Sequence, residues 1–399
     1  MSNVINTHQM IARQAVKMLL EDDNLIPNIN TGRSEEFTET VNGYKKGSYV
    51  DISVPPVSPV YDGATFAGGG AAPGQVEAKV RLDLDTQKHV PLTFTAKQKA
   101  LDVTEFKERY LRPAMSSLMS VVRADLLTRF KDLTPNVIGT WNTIPASRLI
   151  WGQARAALNR GLADEDMRTA LFSSDANLNL VEANAALFNS QRDIERQYRK
   201  GLVGSFASLD FYEDQAIPLH TNGAGANYLV NGAAIVGSSL VVDTGTGAVT
   251  KGSILTIASV FAVHPITGVS TGVLRQFRVT ADYAGGGGSI LISPAITVTT
   301  ASVIGTVNAG PADNAPVTIF GTASQARRQN LVFQKNAFTA AFAPLPVLAS
   351  CEGYTATMNG VSVRVMSFGN GLTDTESTRI DVLYGCAATR PDWAVRVTE

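Results

Sequence analysis

The sequence predicts an α+β protein with an all-β block set into its second half, and three observations carry that expectation. Residues 104–132, TEFKERYLRPAMSSLMSVVRADLLTRFKD, place Phe106, Tyr110, Met115, Leu118, Met119, Val122, Leu126 and Phe130 on one helical stripe. Residues 221–321 hold only six charged side chains, Asp243, Lys251, Arg275, Arg278, Asp282 and Asp313, among Val, Ile, Thr, Ser and Gly. The last region alternates in strand fashion through GYTATMNGVSVRVMSF and STRIDVLYGCAATRPDWAVRV.

Taken in chain order, Met10, Ile11, Val16, Leu19 and Leu20 recur at helical spacing over 7–22, and Glu21, Asp22 and Asp23 close that helix. Acidic residues oppose the dipole at a helix C-terminus, so the helix is expected to stop there as an arm. GSYVDISVPPVSPV at 47–60 reads as a strand ended by Pro55, Pro56 and Pro59. After the Gly/Ala segment 61–76, alternation resumes from Val76 to Leu84, which together describes a long hairpin. A lone hairpin is marginal in water, so a second surface is expected to cover it.

The helical stripe of 104–132 contains Pro113, which either kinks the helix or marks its start. A helix is expected at 146–160, then a TALFSS strand, then a helix with Asp175 as N-cap, then a strand GSFASLDFYED. In the low-charge block, KGSILTIASVFAV, LRQFRVTADY, SILISPAI and APVTIFG are strands joined by glycine-rich turns, the spacing of a small antiparallel barrel or sandwich. Asn359-Gly360 suits a two-residue type I′ turn. Tyr384 to Val397 reads as strand, Arg390-Pro391 turn and a second short strand.

Composition narrows the function. A net charge of −1 argues against a dedicated nucleic-acid binder, which would carry a basic face. Cys351 and Cys386 read as reduced, buried thiols, and the first residues lack a secretion signal. No apolar run approaches the ~20 residues that cross a bilayer. The expectation is a soluble protein made in a reducing compartment.

Catalytic patterns are missing from the sequence. His8, His89, His220 and His264 lie in separate segments without metal-ligand spacing. The run Gly285 to Gly288 sits between strands with no helix or lysine after it, so it reads as a hairpin tip rather than a phosphate cradle. Asp243-Thr244-Gly245 resembles the loop of aspartic proteases, yet one copy would need a symmetric dimer, and a β-turn explains it. Arg327-Arg328 and Lys45-Lys46 read as solvated charge. No catalytic, cofactor or metal residue is assigned.

The whole arrangement resembles the major capsid proteins of tailed bacteriophages, and more narrowly the coat proteins of short-tailed phages that carry an extra inserted β-barrel. EFKERYLRPAMSSLMSVVRADL at 105–126 is similar to that family's spine helix, and ERQYRKGLVGSFASLDFYEDQAIP at 195–218 to its Tyr-Arg-x-Gly turn and strand. Residues 251–296 resemble the inserted barrel, and VLYGCAATRPDWAVRV at 382–397 the family's Tyr-Gly strand with its Ala-Thr-Arg-Pro turn. One departure stands out: where the best-known branch has a charged loop on the barrel, ANYLVNGAAIVGSSLVVDTGTG carries a single charge, Asp243.

The resemblance implies the tailed-phage capsid fold: an N-terminal arm at 1–40, an extended hairpin loop and peripheral strands at 41–103, and a spine helix with axial-domain α/β region at 104–220. It continues with an inserted β-barrel at 221–321 and a return to the axial and peripheral sheets at 322–399. It implies pentamers and hexamers closing into an icosahedral shell around double-stranded DNA. A scaffolding protein and a portal would take part in assembly, DNA contact would be weak, and no cofactor is needed. The protein would reside in the virion after synthesis in the bacterial host cytoplasm. Candidate subunit contacts are Tyr61, Phe66, Gly69, Arg81 and Arg390, and candidate scaffold contacts are Glu21, Asp22 and Asp23. The alternatives are an encapsulin-like compartment shell or another phage structural protein.

Overall fold

The computed structural model describes residues 7–21, 24–37, 40–41, 44–45, 49–55, 78–95, 110, 112–184, 205–300, 304–370 and 375–399. The chain divides into two units, Met1–Ile52 with Lys79–Leu126 and Phe338–Thr389, and Ser53–Ala78 with Leu127–Ala337 and Arg390–Glu399. Strands are numbered in chain order; β6 to β17 and β22 belong to the second unit.

The first unit opens with helix α1 (Thr7–Glu21), whose Ala12, Ala15 and Val16 are buried on one face. That face packs on β19 (Glu352–Met358) and β20 (Val361–Asn370). Two short strands, β1 (Thr40–Val41) and β2 (Tyr44–Lys45), pair with each other. So do β3 (Tyr49–Val54) and β4 (Ala78–Asp83), which flank the predicted hairpin segment; the tip itself lies outside the described residues. Alternate residues Val50, Ile52 and Leu82 turn inward against Ala341, Ala343 and Ala387.

The backbone of this unit's larger sheet is β21 (Thr375–Ala388). β20 pairs with its first half, β18 (Phe338–Ala343) with its second, and β5 (Thr86–Thr95) runs along the opposite edge. β19 completes the sheet through the expected hairpin, in which Asn359 and Gly360 have φ of 51° and 78°, the left-handed pair that a type I′ turn requires. Every residue of β18 is buried, so both faces of that strand are covered.

The Tyr-Gly pair on β21 now has a cause. Tyr384 is fully buried, and its hydroxyl donates to Asp125 Oδ2 at 2.8 Å. At Gly385 a Cβ would lie far inside van der Waals contact with the Asp83 carbonyl, so only glycine lets the end of β4 approach β21.

Helix α2 (Arg112–Leu133) carries Pro113 as its second described residue. Its 22 residues give a rod of about 33 Å. Met115, Leu118, Met119, Val122, Leu126 and Phe130 are buried, as their spacing predicts, and Tyr110 is exposed. The earlier part of the predicted stripe, including Phe106, lies outside the described residues.

The second unit has a seven-stranded sheet. Its main path is β6 (Asn136–Ile138), β22 (Ala394–Thr398), β17 (Ala326–Gln334), β7 (Arg168–Phe172), β9 (Leu209–Glu213) and β8 (Ser205–Phe206), with β10 (Leu219–Thr221) pairing β17. Helix α3 (Arg148–Arg160) begins at Ser147, whose Oγ accepts from the Leu149 N–H at 3.1 Å, and buries Trp151, Ala154 and Leu158. Trp151, Phe172 and Phe211 meet edge to face at centroid distances of 5.2–5.9 Å.

Two expectations need correction here. Helix α4 (Ser174–Asn184) is capped by Ser173, whose Oγ accepts from the Ala176 N–H at 3.1 Å; Asp175 sits in the first turn instead. GSFASLDFYED is not one strand, because Ala207 and Ser208 adopt φ of 53° and 59° and fold it into the β8–β9 hairpin.

Between β10 and β17 the chain forms a closed barrel in the order β11 (Tyr228–Val230), β12 (Gly237–Asp243), β15 (Gly288–Ile296), β14 (Ser270–Val279), β13 (Ile254–Val263) and β16 (Pro316–Ile319). β16 pairs back to β11. Its core is apolar throughout, from Tyr228 and Val230 to Phe277, Ile290 and Val317. Closure leaves no free sheet edge, which suits a block with so few charges to guard one.

Candidate assembly surfaces and a buried polar joint

Arg81 lies exposed on β4, where its Nε donates to Asp83 Oδ1 at 2.7 Å and its guanidinium covers the Tyr49 ring at 4.0 Å. The hydrogen bond to Asp83 raises its already high pKa, so it is a permanent surface cation. Arg390 stacks on Trp393 at 4.6 Å, its N–H donates to the Ala337 carbonyl at 3.2 Å, and its residue is half-buried. Glu21 is the last residue of α1; Asp22, Asp23, Tyr61, Phe66 and Gly69 lie outside the described residues. The described geometry therefore brings none of these candidates together.

The other sequence leads resolve as turns and structure. Asp243 ends β12, and its carboxylate takes the Thr244 hydroxyl at 3.2 Å. Gly245 is glycine because the Tyr228 ring occupies the place of a Cβ. Among the described residues no group of His, Cys, Asp and Glu could hold a metal ion, and no helix is long and apolar enough to cross a membrane. Cys351 and Cys386 are free thiols, as expected, but half-buried rather than buried.

The most heavily built polar feature of the second unit escaped sequence reasoning. Arg396 on β22 is 1 % exposed. Its Nε and Nη2 donate to the Thr134 carbonyl at 3.0 and 2.7 Å, and its Nη1 to the Gly252 carbonyl at 2.8 Å. Arg278 on β14 donates to the Asp132 carbonyl at 3.2 Å. Both arginines thus cap the C-terminal end of α2, where unsatisfied carbonyls carry partial negative charge. Burial pulls Arg396 down to about 9, with Asp132 opposing and Arg278 adding to the fall, so it stays charged at neutral pH.

Lys131 completes the cluster: its ammonium forms an ion pair with Asp132 Oδ1 at 2.8 Å and hydrogen-bonds His220 Nδ1 at 3.3 Å and the Leu219 carbonyl at 3.4 Å. Gly252 has φ of 86° and lies so close to the Asp132 carboxylate that no side chain fits there. The barrel is fastened at two further points of β14. Gln276 exchanges both amide bonds with the Val137 backbone at 2.7 and 3.0 Å, imitating another strand on β6, and Arg275 pairs with Asp392 at 2.7 Å. The only sequence signal for this joint is an arginine inside the apolar strand AVRV.

In the first unit Asp381 is fully buried between two arginines. Arg364 donates to its Oδ2 through Nε at 3.1 Å and Nη2 at 2.5 Å, and Arg379 to its Oδ1 at 2.6 Å. Arg364 also reaches the Pro346 carbonyl at 2.6 Å. These charges serve strand registration, since Arg364 and Asp381 face each other across β20 and β21.

The family model described as "P22 coat protein - gene protein 5" matches residues 45–397. Among solved structures the chain is similar to one from Mycobacterium phage Che8, at 11% identity and a TM-score of 0.51, covering 94% of this chain and 91% of that one. A capsid structure of Cyanophage P-SCSP1u shares 11% identity, covering 88% and 83% with a TM-score of 0.43. A virus-like particle from Pyrococcus furiosus shares 5%, covering 98% and 100% with a TM-score of 0.45. No curated protein matches.

Proposed function

This chain belongs to the P22 coat protein family and is the major capsid protein of a tailed phage, a structural rather than an enzymatic protein, and on that premise we propose how it assembles. The observation that carries the reading is the family match across residues 45–397. Membership implies a homo-oligomeric icosahedral shell in the virion. The subunits form pentamers and hexamers, synthesised and assembled in the host cytoplasm around a scaffolding protein and a portal, and the shell touches packaged DNA weakly. The net charge of −1 suits a wall that neither grips nor strongly repels the genome.

In the same proposal the residues form an N-terminal arm at 1–40, a hairpin loop and peripheral strands at 41–103, a spine helix and axial region at 104–220, the barrel as an inserted domain at 221–321, and the returning sheets at 322–399. Two facts support the inserted reading: the barrel strands are consecutive in sequence, and β10 and β17 on either side pair with each other. The pairing of β3 with β4 supports a hairpin whose tip reaches an adjacent subunit through Tyr61, Phe66 and Gly69. Arg81 contributes exposed charge near its base, Arg390 lies at the last turn, and Glu21, Asp22 and Asp23 meet a basic scaffolding protein.

The test replaces residues 61–76 with a short Gly/Ser link. The expected product folds with wild-type secondary structure, remains small by sedimentation and forms no shells. Wild-type yields of closed particles from that variant would refute the role of the hairpin.

A further inference from the structure

The joint between the barrel and the end of α2 contains an ordered proton relay that capsid assembly does not account for. Lys131 can only donate, so His220 Nδ1, at 3.3 Å, must accept. The ring proton is therefore on Nε2 and points to Ser253 Oγ at 3.2 Å. Thr250 Oγ donates to the Thr221 carbonyl at 2.8 Å, which leaves it to accept the Ser253 hydroxyl proton at 3.0 Å. The chain thus runs in one direction from Lys131 through His220, Ser253 and Thr250 to the Thr221 carbonyl, set by the ammonium group, with the Asn222 side chain a further hydrogen-bond partner of the ring.

The groups that face His220 come from each element packed on it. Lys131 and Asp132 lie at the end of α2, Arg396 on β22, and Asn222 two residues along its own segment. Thr250 and Ser253 belong to the turn leading into β13, with Lys251 between them and Arg278 on β14 beyond. Three buried or half-buried cations, Lys131, Arg278 and Arg396, thus meet one carboxylate, Asp132. A fourth positive charge has no counter-ion. His220 is 4 % exposed, so water cannot screen it.

We propose that this relay is an acid-sensitive latch: a proton on Nδ1 of His220 would oppose the Lys131 ammonium donor to donor, break the relay, and release the neck of the barrel at 219–223 and 250–254 from the end of α2. The barrel itself stays folded, because its core contains no ionisable group other than the Tyr228 and Tyr283 hydroxyls. Gln276 and Arg275 hold β14 in place, so release is confined to the neck.

Burial, and then the charge on Lys131, holds His220 down at about 3 in the latched state, against an ordinary 6.5 once released. The latched form therefore binds fewer protons, and opening is favoured as pH falls from 6.5 toward 3. These two values make the opening equilibrium roughly 70-fold larger at pH 4.5 than at pH 7.

Hydrogen exchange of the full chain, corrected for intrinsic pH dependence, tests this directly. Peptides covering 219–223 and 250–254 should accelerate by tens of fold from pH 7 to pH 4.5 while 288–296 does not. His220→Gln keeps an acceptor for Lys131 and a donor for Ser253 but cannot titrate, so its neck peptides should be flat with pH. Equal acceleration in wild type and His220→Gln, or of neck and barrel strands together, overturns the latch. Nitrogen shifts of the labelled imidazole provide a second measure that needs no variant to fold differently. An Nε2–H tautomer, uncharged at pH 5, is expected; an Nδ1–H tautomer or a His220 that titrates near 6.5 in the folded chain overturns the proposal.

Discussion

In a chain lacking residues 390–399 the second unit is expected to lose its cooperative unfolding transition. Those residues supply β22, which lies between β17 and β6, antiparallel to the first over five registered pairs and parallel to the second over three. All five residues of the strand are buried. Val395 and Val397 alone forfeit about 1.5–3 kcal/mol each when exposed. Trp393 also goes, with its indole N–H bond to the Gly161 carbonyl at 2.8 Å, and the ladder groups of β17 and β6 lose their partners. Against a typical total of about 5–15 kcal/mol, these losses leave nothing to hold the second unit together. Hydrogen exchange of peptides from β17 and β7 in urea reads the outcome, and wild-type protection there would refute it.

Arg396→Met is expected to cost about 2–5 kcal/mol, the penalty for two buried carbonyls left without donors. Methionine fills most of the space but leaves the Thr134 and Gly252 carbonyls without donors in a dry joint, and removes positive charge from the end of α2. Arg396→Lys should recover only part of the loss, since an ammonium cannot match a planar fork that reaches two carbonyls. Urea denaturation of the monomer measures both. A loss below about 1 kcal/mol for methionine would mean that the arginine is replaceable bulk.

How much of this was legible in the sequence follows from how local each cause is. The Asn359-Gly360 hairpin was readable because its signal is two adjacent residues with left-handed φ. The buried stripe of α2 and the low-charge barrel were readable because they repeat over many residues. The N-cap of α4 was placed two residues late, since Ser173 and Asp175 are both good capping types and only the Ala176 N–H chooses between them. The β8–β9 turn is not legible because Ala207 and Ser208 are not residues that favour positive φ, and only the antiparallel pairing of β8 with β9 reveals it.

The polar joint was invisible for a stronger reason. Its members, Lys131, His220, Ser253, Arg278 and Arg396, are scattered over more than half of the chain, and each looks ordinary alone. Gly385 shows the same limit: the requirement for glycine comes from the Asp83 carbonyl, about 300 residues earlier in the chain, so that distance and not composition hides it. The assembly candidates Tyr61, Phe66, Gly69, Arg81 and Arg390 rest on the resemblance alone, because no local sequence pattern marks a contact between subunits.

The central claim is that this chain builds a closed icosahedral shell. Cryo-electron microscopy of the full-length protein, expressed with and without a scaffolding protein and purified as particles, tests it most directly. The account predicts closed shells in which one subunit fold occupies both pentamers and hexamers, with segment 61–76 lying across a neighbour. A monodisperse monomer under both conditions, or open tubes and isolated rings, would contradict it.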